Sequence, residues 1–296
     1  MASNATVELV YVETYESIVR HLAQQKQSRL RMWVMEKAVQ SNGHNWELLG
    51  EAEAVAKTDV GGPTERNVAT PESDPAFERR RSTPGTWHTG DMIEPEDIVQ
   101  VLIDPNSSIA QSQAYAMNRA IDDEIIDAID RDADNGNGAV VVFPAAQTLG
   151  NYTTAITFDM VTQVTELYMD NDIDPDEPKV MVISPAQARK LLQLTEATSG
   201  DYNALMPLTS KGYIESWMGF SWIVSTRLNY PVADQPTCFC MTRKALGLQM
   251  NRDMTVEVAK DPTMSFAYRI YCAATYGAVR VEDKHIVKLQ LDDAAV

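Results

Sequence analysis

Only three cysteines and four histidines occur in this chain, and aromatic residues make up 7% of it, so the residue types that build metal centres and disulfide frameworks are scarce. Cys238, Cys240 and Cys272 are too few and too clustered for a disulfide framework. Their C-x-C spacing puts the first two thiols on one face of a strand, and no histidine lies near enough to complete a zinc set. They read as reduced thiols. His21, His44, His88 and His285 lie far apart, and none has zinc-protease spacing, which leaves structural or surface roles. Basic residues are scarce as well: 25 stand against 42 acidic ones, for a formal charge of −17. A surface of that sign repels phosphate backbones and anionic lipids, which argues against a sequence-reading DNA binder or a membrane-surface protein. A wall that merely encloses DNA without sticking to it remains compatible with the charge. No long apolar run is present either. The longest, around Ala139 to Ala146 and Val180 to Ile183, fall far short of the roughly 20 residues of a membrane helix. Met1 to Val10 lacks the basic cluster and apolar run of a secretion signal.

Catalytic signatures are missing too. The sequence holds no nucleophile elbow, no phosphate-cradling glycine loop and no dinucleotide fingerprint, so no catalytic, cofactor-binding or metal-ligating residue is singled out and no cofactor is expected. The nearest lookalike, Asp130-x-Asp132-x-Asp134, opens like a calcium loop, but its glycine comes one position late and Val141 stands where a bidentate Glu is required. It reads as a solvated acidic helix end. Trp33, Trp46 and Trp87 would suit a base-stacking surface on a basic protein; on this acidic one they read as strand packing.

What the chain does contain is a distinct order of elements. Weak helical spacing through Tyr15, Ile18, Val19 and Leu22 ends in the polar run Gln24 to Ser28 and suggests an arm. Leu30 to Val39 and Trp46 to Val55 suit paired strands, with Asn42-Gly43 as the turn between them. Lys57 to Thr86 follow, with four prolines, Gly61-Gly62 and the run Arg79-Arg80-Arg81, but only Val60, Val68 and Phe77 as large apolar side chains. Three such side chains cannot offset the conformational entropy of ordering about thirty residues. This excursion is therefore expected to lean on neighbouring chains. A strand is predicted over Ile98 to Ile103 and, after Asp104-Pro105, a long helix whose stripe is Ala110, Ala114, Met117, Ile121, Ile125 and Ala128. Asp122, Asp123, Glu124, Asp127 and Asp130 crowd its far end, where carboxylates oppose the helix dipole by about 0.3–1 kcal/mol each unless cations sit nearby.

Beyond a glycine-rich stop at Gly136 to Gly138, a helix from Phe158 to Tyr168 is capped by Thr157. A strand from Val180 to Ile183 then runs into Ser184-Pro185, a cap and a first-turn proline, opening a short helix to about Leu194. The last third reads as β-rich: Trp217 to Val224 interrupted at Gly219, Cys238 to Thr242, the alternation Phe266, Tyr268, Ile270, Cys272, and Val279 to Val281 and Ile286 to Leu289 around Glu282-Asp283-Lys284. Arg79, Arg80 and Arg81 carry planar guanidinium forks suited to carboxylates, and Asp122, Asp123, Asp127 and Asp130 of an adjacent subunit are candidate partners for an intersubunit clamp.

Several segments in this order carry a family resemblance: the insertion ending in Arg79 to Arg81 and Trp87 to Asp97; Ile103-Asp104-Pro105 before the helix with Arg119-Ala120-Ile121-Asp122; Met218-Gly219-Phe220 before Ser225-Thr226-Arg227-Leu228; and Tyr276-Gly277-Ala278-Val279-Arg280-Val281. Together they resemble the major capsid proteins of tailed phages with the Hong Kong 97-type fold, over nearly the whole chain. The resemblance implies an α+β fold with an N-terminal arm (1–28), an extended loop of hairpin plus polar excursion (29–95), a peripheral domain with a spine helix (96–144), an axial domain (145–250) and late peripheral strands (251–296). It also implies self-assembly into hexamers and pentamers of an icosahedral shell around double-stranded DNA. Further implied partners are a portal and either a separate scaffolding protein or none, with decoration proteins left open and no membrane. The place of action would be the virion capsid, assembled in the host bacterial cytoplasm. Two rivals stand beside it: an encapsulin-like nanocompartment shell, and a soluble α+β enzyme with a dispersed site. Particle size separates the enzyme from the shells, and neighbouring genes separate the two shells.

Overall fold

Thr157 and Ser184 are hydroxyl-bearing residues placed directly before an apolar-periodic run, and each starts a helix by accepting a backbone N–H from the first turn: Met160 N at 3.2 Å for Thr157 and Gln187 N at 3.2 Å for Ser184. The computed structural model describes residues 22–54, 72, 74–94, 96, 105–194 and 214–295, without the side chains of 105–107. Its elements in chain order are β1 (Met35–Ala38), β2 (His44–Leu49), β3 (Phe77–Ser82), β4 (Gly85–Ile93), α1 (Pro105–Asp130), β5 (Ala133–Asp134), β6 (Val140–Val141), β7 (Thr148–Gly150), α2 (Phe158–Asp170), β8 (Lys179–Ile183), α3 (Pro185–Leu191), β9 (Ser216–Trp217), β10 (Phe220–Val224), β11 (Thr237–Thr242), β12 (Leu246–Asp261), β13 (Ala267–Arg280) and β14 (Ile286–Gln290). The residues divide between two compact units. One is drawn from within Met1–Gln27, Trp87–Arg119 and Met254–Ala274, the other from Ser28–Thr86, Ala120–Asp253 and Thr275–Val296.

The second unit is organised on a six-stranded sheet of order β7-β14-β11-β8-β10-β9. β8 lies among its inner strands and is buried at all five residues, as expected of a short continuous apolar run with neighbours on both edges. It pairs parallel with β10 and antiparallel with β11, and β14 pairs antiparallel with β11 in turn. Gln187, fully buried on α3, satisfies both ends of its amide there: Ile156 N donates to its Oε1 at 2.8 Å, and its Nε2 donates to Asp292 O at 2.8 Å. The interruption at Gly219 is a two-residue hairpin turn. Met218 and Gly219 both hold positive φ, 53° and 79°, the combination that joins β9 and β10 with the right twist.

The predicted long helix is α1, and its apolar stripe is fully buried from Met117 through Ile121, Ile125 and Ala128, with Ile126 and Ile129 added. Ala110 and Ala114 stay half-buried. Several expectations change. Leu30 to Val39 and Trp46 to Val55 do not form a hairpin with each other: β1 pairs parallel with β12, and β2 pairs antiparallel with β3. Gly43 lacks the positive φ that a two-residue Asn-Gly turn requires. It serves space instead, since a Cβ there would lie 2.8 Å from Arg81 Nε. The end of the polar excursion is structured, because Phe77–Ser82 finds β2 as a partner strand. Gly136 and Gly138, at φ 78° and 83°, turn the chain between β5 and β6 and do more than stop a helix. The helix opened by Ser184-Pro185 ends at Leu191. Phe266 leaves the expected alternation: it precedes β13, is 61% exposed and has φ 56°. The helical spacing from Tyr15 to Val19, most of the excursion including Lys57, Val60 and Val68, and the strand over Ile98 to Ile103 lie outside the described residues.

All three thiols are buried and unpaired with one another. Burial pushes Cys238 and Cys240 up to about 12. A disulfide reagent at about pH 8 should therefore find no fast-reacting thiol in the folded subunit and three after denaturation, read by absorbance. Gly277 packs where a Cβ would lie 2.3 Å from Thr83 O, a backbone atom that cannot swing away. Gly277→Ala should cost about 1–3 kcal/mol, measured as a lowered unfolding midpoint.

Candidate subunit-contact site

Five carboxylates at the C-terminal half of a helix need cations, and the fold supplies them within the chain. Arg280, at the end of β13, is completely buried. Its Nη1 donates to Ile129 O at 3.2 Å and Arg131 O at 2.9 Å, its Nη2 to Val141 O at 2.8 Å, and its Nε to Asp283 at 2.7 Å. Helix α1 thus ends on a guanidinium, which takes up carbonyls that a helix terminus otherwise leaves without partners. The ring of Phe143 covers it, with Lys288 Nζ 4.2 Å from the same ring. Burial lowers the Lys288 pKa, while Asp130 at 3.1 Å pulls it back up.

The four candidate aspartates go to four local tasks. Asp122 is 2% exposed and accepts from Ser28 Oγ, from Arg29 N at 3.0 Å and from Leu30 N at 3.2 Å. It pins residues 28–30 to the helix and is out of reach of a neighbour's arginine. Asp123 holds Arg227 through both guanidinium edges. Asp127 and Asp130 accept from Asn229 Nδ2, at 3.3 and 2.6 Å. The Asp123–Arg227 pair is about one-third exposed on each side, which limits it to about 1 kcal/mol.

Arg79, Arg80 and Arg81 lie along β3 and meet none of these aspartates within the chain. Alternation sends their side chains to opposite faces. Arg79 pairs with Glu47 directly across on β2 at 3.4 Å. Arg80 is buried, with Glu78 at 3.3 Å and Asp283 at 3.7 Å, and its Nε has no acceptor among the described residues. Arg81 stands opposite Asn45 on one side and Asp134 on the other. The clamp as expected from sequence, with all three forks and all four carboxylates free for a neighbour, is not what the fold presents: Asp122 and Arg80 are interior.

Asp130, Asp132 and Asp134 do not converge. Asp130 is committed to Lys288 and Asn229, and Asp134 accepts from Gly136 N at 2.7 Å. His285 is buried against Thr242 at 2.6 Å and lies 3.3 Å from Glu282, whose pKa its hydrogen bond lowers. Trp46 packs on Gly247, where a Cβ would come within 2.4 Å of the indole. Sequence reasoning overlooked Arg227, Asn229, Arg280 and Lys288. Their signal was the helix itself, because a cluster of acids at its wrong end announces cations elsewhere in the chain.

A family-wide comparison matches residues 7–293 to a family described as phage capsid protein. The chain belongs to that family. Among solved structures, the chain is similar to the capsid of cyanophage P-SCSP1u (TM-score 0.75, 12% identity, covering 98% of this chain and 95% of that one). It is also similar to a chain of Mycobacterium phage Che8 (0.71, 16%, 97% and 98%) and to the capsid of a native GTA particle (0.68, 13%, 99% and 98%). None of the curated proteins matches it in sequence. At these identities the likeness is one of fold, and the fold is the α+β Hong Kong 97-type.

Two substitutions test the internal clamps. Asp122→Ala leaves two backbone N–H groups without their acceptor and should cost about 2 kcal/mol, with faster proteolysis near Arg29 and Arg31. Arg280→Met should cost about 3–5 kcal/mol by chemical denaturation, because it leaves three carbonyls without their donor in the interior and Asp283 with Arg80 alone.

Proposed function

We propose that this chain is a major capsid protein, a shell subunit of a tailed phage that works by assembling with copies of itself and not by catalysis. The observation that carries this reading is the family match over residues 7–293, supported by capsid neighbours that cover 95% or more of both chains. In this reading the subunits form hexamers and pentamers, and these close into an icosahedral shell around double-stranded DNA. Assembly takes place in the host bacterial cytoplasm, with a portal and separate scaffolding or decoration proteins as partners.

The physical chemistry supports that role. A net charge of −17 makes the chain a poor binder of duplex DNA, which suits a wall that encloses DNA without holding it. The polar stretch from Lys57 to Thr86 carries too few large apolar side chains to offset its ordering entropy, and apart from Phe77–Ser82, which pairs with β2, adjoining copies would supply the balance. Arg79, at the exposed face of β3, is the arginine best placed for such a contact. Arginine excels at it because its fork matches a carboxylate in two bonds.

Expression of the full chain, followed by sedimentation and electron microscopy, tests the reading. Closed particles of uniform diameter are expected, alone or with the partner proteins of a phage lysate, and these particles should show no salt-sensitive binding of added duplex DNA. A protein that stays monomeric or a small oligomer under all these conditions would overturn it.

A further inference from the structure

Two exposed features of the chain complement one another in apolar character and charge. The first is the turn joining β12 to β13. Met264 (56% exposed) and Phe266 (61%) display large apolar side chains there, and Ser265 and Phe266 both hold left-handed φ values, 50° and 56°. Non-glycine residues take that conformation at a cost, so a turn that adopts it twice to display a phenylalanine invites a reason. The turn's shoulders are basic: Lys260 sits over the Tyr268 ring at 5.0 Å, and Arg269 lies 3.5 Å from Asp261. Asp261 is itself occupied, accepting from Thr263 N and Oγ1.

The second feature is a cleft of about 620 Å³ in the other unit, beside the point where Gly50 N donates to Ala76 O. Leu49, Ala76, Pro144 and Val281 supply apolar lining. Its carboxylates are Glu51, Glu78, Glu282 and Asp283; Arg280 holds Asp283 and Arg80 holds Glu78, which leaves Glu51 and Glu282 against Lys284. Leu49, at the cleft's edge, is 62% exposed and offers its side chain to solvent. An acidic cleft with greasy walls selects an apolar residue carried between basic ones. The turn at Met264 and Phe266 has that composition.

We propose that in the assembled shell the β12–β13 turn of one subunit enters this cleft of a second copy, with Phe266 and Met264 against Leu49 and Val281, and Lys260 and Arg269 toward Glu51 and Glu282. This inference rests on the shell reading. The contact is heterologous, because the two surfaces differ, so each subunit offers one and accepts the other, and the interaction can repeat from copy to copy.

The test is a disulfide trap in the full chain. Leu49→Cys combined with Phe266→Cys, assembled and then oxidised, should give dimers and a ladder of higher multimers on a denaturing gel. Reductant should collapse the ladder, and neither single variant should show it; the native thiols are buried and give no background. Intact particles that run only as monomer, or as a faster monomer carrying an internal bond, would overturn the contact while leaving the shell reading intact. A wild-type chain that never forms particles would overturn both. Independently, Phe266→Glu should lower particle yield about tenfold or more, as loss of a central anchor does, while the circular dichroism and unfolding midpoint of the unassembled subunit stay unchanged. Wild-type yield from that variant would also overturn the proposal.

Discussion

The guanidinium of Arg280 holds the second unit together at its most demanding point. A long helix that ends in the interior must hand its last carbonyls to something, and aspartates along the same stretch worsen the dipole that those carbonyls create. One buried side chain answers both problems by bridging the end of α1, the β6 strand and Asp283. The remaining carboxylates of α1 then act as attachment points: Asp122 for residues 28–30, Asp123 for Arg227, Asp127 and Asp130 for Asn229 and Lys288. The acidic helix is a hub to which distant segments of one chain are tied, and its charge is spent largely on the subunit's own fold.

The parts of this fold legible in the sequence were those decided locally. Thr157, Ser184-Pro185 and Met218-Gly219 each carry their instruction within three or four residues, and the helices and turn formed where those instructions stood. The stripe of α1 was legible for the same reason. Strand partnership was not, because it is settled across the chain: β2 prefers β3, some thirty residues on, to its neighbour β1, and β1 reaches β12. Glycine misled in the same way. Asn42-Gly43 looks like a turn by composition, but Gly43 is there so that Arg81 can pass.

The candidate site was legible only in part. That Arg79 to Arg81 and the aspartates of α1 were charged groups in search of partners could be read directly; which partners they find could not. Alternation along β3 separates one arginine from its neighbours and buries it, and the helix turns Asp122 inward. The cations that answer the aspartates, Arg227 and Lys288, come from a hundred residues and more downstream, as does the Arg280 that takes the helix-end carbonyls. Once these pairings are made within the subunit, surfaces left for other copies are to be sought among exposed apolar groups and at the exposed member of the arginine run, Arg79.

The buried thiols carry one more consequence. A shell built from this subunit would encounter no new disulfide chemistry on moving from reducing to oxidising surroundings, since reaching Cys238, Cys240 or Cys272 requires unfolding. Oxidants would instead find thioethers that stand outside the subunit, such as Met32 and Met169. Conversion of such a thioether to sulfoxide swaps a soft apolar tip for a polar one, so ageing of the coat by air would be written in its methionines.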